Sequence, residues 1–164
     1  MVPEWVRCTV AAPRGFTMPE LIVVVAIVGV IAGLSVPSLW TYVRTATVRA
    51  GAEEMVTILN GARQLAIQMN TTVCVTNDGI RAQYHVGNCG GAAWTGVGTD
   101  ADGNIRLANN LSVSGSSNLC FNYLGAGSTT PAPCAANGTL TVTNPSGEAT
   151  VRVIMATTGR VRIQ

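Results

Sequence analysis

Four cysteines, one histidine, an aspartate-rich turn and two arginines one residue apart are the groups in this 164-residue chain whose types and spacing could do chemistry. Cys74, Cys89, Cys120 and Cys134 could form disulfides or hold a thiophilic metal. Zinc is disfavoured, because no C-x-x-C pair occurs and His85, the one histidine, lacks a partner at ligand spacing. Asp100-Ala101-Asp102-Gly103-Asn104 has the composition of a calcium loop, but its glycine comes too early for position six of an EF-hand and no glutamate stands at position twelve, so a polar turn is expected. No Ser, Cys or Asp constellation points at His85, which is read as a strand surface residue. The chain is therefore taken as non-enzymatic, with no metal and no cofactor. Trp94, Phe121 and Tyr123 are expected in the core or on hairpin faces.

The cations form the other candidate. All ten are arginine and the formal net charge is only +2, so any basic footprint must be local. In a strand over Arg160–Ile163, alternation puts Arg160 and Arg162 on one face, about 6.6 Å apart, close to the phosphate spacing of a nucleic-acid strand. Arg152, on the preceding strand, joins them in some hairpin registers and not in others. The competing account is an edge strand whose arginines deter aggregation.

These groups must be positioned by elements that the pattern makes legible. Charged residues are 11% of the chain and the mean hydropathy is +0.35, with most of the apolar excess before residue 44. From Leu21 to Val43 no residue is charged. As a helix this stretch would span about 34 Å, enough for a bilayer core of about 30 Å. Arg7 and Arg14 ahead of it favour a cytoplasmic N-terminus and an exported remainder. Gly29 and Gly33 stand at a small-xxx-small spacing that permits close helix approach.

Beyond Arg44, Val48, Ala52, Met55, Leu59, Ala62, Ala66 and Met69 repeat at steps of three and four, an amphipathic helix suited to packing on a sheet. From Thr71 the period becomes two. Residues 72–76 and 80–86 flank the Asn77-Asp78-Gly79 turn, and residues 138–143, 149–156 and 160–164 are separated by turns at 144–148 and 157–159. Residues 87–104 are expected as loop with one short strand near Trp94, and residues 125–137 as a second loop. The length fits one such domain.

Gly15-Phe16-Thr17, with Glu20 five places after the glycine and a long apolar helix behind it, resembles the type IV prepilin signature. The resemblance implies cleavage after Gly15 by a membrane-embedded prepilin peptidase, methylation of the new N-terminal Phe16, and neutralisation of its amine by Glu20. An intramembrane carboxylate is normally retained only with such a partner. Pro37 matches a proline that type IV pilins use at a helix break. Pro19 departs from the pattern, at a place where Leu or Ile is usual, but a first-turn proline lacks only an N–H that would be unpartnered anyway.

The other end is similar to the FimT/GspH minor pilin and pseudopilin family, which closes with a glycine-arginine hairpin like Gly159-Arg160-Val161-Arg162. Residues 94–104 and 119–125 resemble that family's mid-domain segments more loosely. The resemblance implies an α+β type IV pilin fold, a long N-terminal helix packed on a mainly antiparallel sheet domain. Its expected divisions are a leader (1–15, removed), a membrane and filament-core helix (16–43) and a globular part (44–164). It further implies a single-pass inner-membrane protein with a periplasmic C-terminal domain that assembles with other pilins. Some members bind double-stranded DNA during natural transformation through the terminal arginines. The alternatives are a minor pseudopilin of type II secretion and a major structural pilin. Cys8 would leave with the leader, and an even number of exported cysteines fits two disulfides. Three connectivities are open; Cys74–Cys89 with Cys120–Cys134 is favoured, each closing a loop between neighbouring elements.

Overall fold

The computed structural model describes residues 15–164, apart from the side chains of residues 36–38. Arg7, Cys8 and Arg14 lie outside the described residues, as does the side chain of Pro37. The chain divides into two units, one ending at Trp40 and one running from Thr41 to Gln164.

Helix α1 is Met18–Met69. It starts at Thr17, whose carbonyl accepts a hydrogen bond from the Leu21 N–H at 3.2 Å. Thr17 and Glu20 have the S/T-x-x-E spacing of a capping box, and Glu20 lies in the first turn, where a carboxylate complements the helix dipole. In the first unit the window Met18–Ser35 is long and apolar enough to cross a membrane, and all of it is exposed.

The second unit carries eight strands: β1 Val73–Asn77, β2 Arg81–Val86, β3 Asn104–Arg106, β4 Ser112–Gly115, β5 Leu119–Phe121, β6 Gly138–Thr143, β7 Thr150–Met155 and β8 Val161–Ile163. They form two four-stranded antiparallel sheets, ordered β3-β2-β1-β5 and β4-β6-β7-β8. Two-residue alternation gives each sheet one face for the core. Val73, Val75, Tyr84, Leu119 and Phe121 supply it in the first sheet; Val113, Leu140, Val142, Val153 and Met155 supply it in the second.

Both inner faces meet one side of α1 in a single apolar cluster with Val48, Ala52, Met55, Leu59, Ala62 and Ala66. The expected stripe needs two changes. Ile58 and Leu65 belong to it, whereas Met69 is 49% exposed because it sits in the last turn of α1 and takes no part in the buried cluster. Glycines permit the close approach: a Cβ on Gly51 would strike Leu111, and one on Gly61 would lie 2.9 Å from the Tyr84 hydroxyl.

Four further sequence expectations change. Tyr123 is 53% exposed, lying past the end of β5 in the turn where Asn122 bonds Gly125 and Ala126. His85 is 8% exposed rather than a surface residue, because the loop after β2 folds over it and Gly91 O contacts its Nδ1 at 2.8 Å. Strands β3, β4 and β5 lie where the alternation pattern marked none. The short strand expected near Trp94 is a single bridge, Ala93 opposite His85.

Candidate functional site

In the second sheet the face turned away from the core is built by register alone. Ser114 faces Thr141, which faces Arg152; Thr139 faces Ile154, which faces Arg162. Arg160 falls opposite Ala156, whose N–H it receives at 2.9 Å, and Arg152 exchanges two backbone hydrogen bonds with Gln164. Directly opposed residues share a face. The register that the sequence left open therefore puts Arg152, Arg160 and Arg162 on one side of the β7–β8 ribbon, all three exposed. No carboxylate lies among the outer-face positions of the four strands, whose other polar members are Ser and Thr. Among the described residues no ion pair engages these three guanidiniums; the ion pairs are Arg44 with Glu148 and Arg49 with Glu53.

The turn that carries Arg160 is anchored. Gly159 is buried, has φ of +77°, and a Cβ there would strike the Gly125 carbonyl. Thr157 O accepts from the Gly127 N–H at 2.9 Å. Gly125 in turn covers Arg63 of α1, where a Cβ would come within 2.8 Å of Nε. Chemically, the face offers three cations and a field of hydroxyls, with no carboxylate side chain among its strand positions. That combination suits a polyanion and lacks any nucleophile–base pair.

The four cysteines lie on the opposite side of the first sheet from its core face. Cys74 of β1 stands between His85 of β2 and Cys120 of β5 in the ladder. Cys74 is bonded to Cys89 and Cys120 to Cys134, so the two loops are stapled over this face. Both His85 nitrogens are engaged, Nε2 with Thr76 Oγ1 at 3.0 Å and Nδ1 with Gly91 O at 2.8 Å. The Asp100 turn folds on itself: one carboxylate oxygen receives the Asp102 and Asn104 N–H groups at 3.0 and 2.7 Å. The Asn104 backbone hydrogen bond is the first cause holding the Asp100 carboxyl below its ordinary pKa.

Gly15 and Phe16 precede α1 and are exposed, as is Glu20 in its first turn. The sequence had no signal for Arg63, whose buried Nε has no hydrogen-bond partner among the described residues, because the Gly125 loop that lies against it is distant in the chain.

Two family models match the chain: the prokaryotic N-terminal methylation motif over residues 11–36 and the type II transport protein GspH over residues 51–159. Two crystal structures of the Pseudomonas aeruginosa type IV minor pilin FimU are similar. One, in space group P65, is 14% identical with a TM-score of 0.49, covering 71% of this chain and 91% of that one. The other, in space group P21, is 16% identical with a TM-score of 0.48, covering 75% and 92%. No curated protein matches significantly.

Proposed function

Since the chain belongs to the GspH family and has the type IV pilin fold, we propose that it is a minor pilin of a type IV pilus that binds double-stranded DNA without sequence preference, for uptake in natural transformation. The carrying observation is the placement of Arg152, Arg160 and Arg162 on one exposed face with no carboxylate side chain among its strand positions. Guanidiniums there would meet phosphates, which position a duplex but carry no base information.

Maturation completes the reading. Prepilin peptidase removes residues 1–15 and Phe16 is methylated. Residues 16–43 then hold the subunit in the inner membrane as a single pass and later in the filament core, with Glu20 against the Phe16 amine; the break expected at Pro37 is not present, since α1 runs helical through that position. Residues 44–164 stand in the periplasm, and other pilins are the assembly partners.

The test is salt-dependent binding of unrelated duplexes by the purified chain in neutral detergent. Three contacting arginines give a log–log slope of about 2.7, and Arg160→Gln with Arg162→Gln removes about 1.8 of it. A chain whose duplex binding is insensitive to salt, or a double variant that binds as tightly as wild type, contradicts the proposal. The family description favours a second reading, a minor pseudopilin of type II secretion. In that case deleting the gene blocks export of folded periplasmic proteins and leaves DNA uptake unchanged.

A further inference from the structure

Four sulfurs from four separate segments converge on the outer side of the first sheet. All four Sγ atoms lie within 4.8 Å of one another. Between the two disulfides, Cys89 Sγ is 3.5 Å from Cys120 Sγ and 3.8 Å from Cys134 Sγ. A zinc ion in a tetrahedron of thiolates at about 2.3 Å holds its sulfurs about 3.8 Å apart. Two of the four contacts between the bridges are already close to that spacing and the other two lie within 4.8 Å, so the main change is the separation of the two bonded pairs.

We propose that, once both disulfides are reduced, Cys74, Cys89, Cys120 and Cys134 form a tetrathiolate site for one zinc ion. The ladder fixes half of it, because Cys74 and Cys120 are paired residues of β1 and β5. Cys89 and Cys134 ride on the loops after β2 and after Pro131, which can give the small movement needed. His85 is no ligand, since both its ring nitrogens are occupied. The absence of a C-x-x-C pair argued against zinc in the sequence, but that spacing matters only when two ligands share one turn. Here each ligand comes from its own segment and the fold does the gathering.

The chemistry balances with a phosphine as reductant. Each disulfide receives two electrons from phosphorus and two protons from water, and the water oxygen goes to the phosphine oxide. The four thiols then release four protons to solvent as one zinc ion binds four thiolates. The metal would join the same loops to the same strands as the disulfides do.

The full chain in neutral detergent, reduced anaerobically with a water-soluble phosphine, is titrated with cobalt(II) as the spectroscopic probe. One equivalent should bind with the intense bands of tetrahedral four-thiolate cobalt, zinc(II) should displace it one for one, and the oxidised chain should bind none. Zinc should also raise the melting temperature of the reduced chain. Cys120→Ser should lose the four-sulfur spectrum. Because that variant could fail to fold, the band intensity of the wild-type complex serves as an independent count of thiolates. A reduced chain that takes up no cobalt, gives the spectrum of three or fewer thiolates, or melts at the same temperature with and without zinc overturns the proposal.

Discussion

Tyr84 of β2 donates its hydroxyl hydrogen to the main-chain oxygen of Ile58 in α1 at 2.7 Å. The bond ties the first sheet to the helix through the core, and burial pushes the phenol up to about 12. Because the folded pKa exceeds the unfolded value of about 10, the native state holds this proton more tightly. The resulting stability is fully present below pH 10 and is lost as pH rises towards 12. Denaturant titrations between pH 8 and 12 should show a loss of about 2–3 kcal/mol across that window. Tyr84→Phe should remove most of the pH dependence and cost about 1 kcal/mol at neutral pH. A wild-type stability that stays flat to pH 12 would contradict the assignment.

Maturation can be read by mass. In a host that has prepilin peptidase, the chain should begin at Phe16 and carry one added methyl group. Glu20→Ala should still be cut but enter filaments less, since the Phe16 amine would lose its counter-charge in an apolar setting. An intact leader on protein from such a host would refute the cleavage.

Two glycines separate strain from contact. Gly79 and Gly159 both have positive φ, +72° and +77°, but a Cβ on Gly79 meets nothing within 4 Å, whereas one on Gly159 runs into the Gly125 carbonyl. Gly79→Ala should therefore cost only the left-handed backbone penalty, about 1 kcal/mol. Gly159→Ala adds a clash with main chain, and about 2–4 kcal/mol is expected. Urea melts of the two variants provide the comparison, and equal losses would deny that the turn is packed as described.

Much of this architecture was readable because it depends on local period. The Asn77-Asp78-Gly79 turn and the strands on either side of it were placed to within a residue, as were β6, β7 and β8. The α1 stripe was legible for the same reason, up to Met69, where the apolar period continues but the packing partner stops. Strands β3 and β5 span only three residues each and gain their identity from partners far along the chain. No window of local sequence contains that information. His85 was misplaced by the same blindness: alternation put it away from the core, and the loop that covers that second face is a tertiary event. The arginine face was half legible. Alternation gave Arg160 and Arg162, while Arg152 needed the β7–β8 register, which depends on how the turn at Gly159 is docked.

That docking bears on how cheaply the face could be used. Hairpin tips usually sway, and a ligand that grips one must first quench the motion, at about 1–2 kcal/mol for each residue ordered. Here Arg63, Gly125 and Gly159 lie in one column. The β7–β8 tip thus rests on the Gly125 loop, which itself lies against Arg63 of α1. The backbone under Arg160 is preorganised, leaving only the long side chains to be stilled when a polyanion arrives.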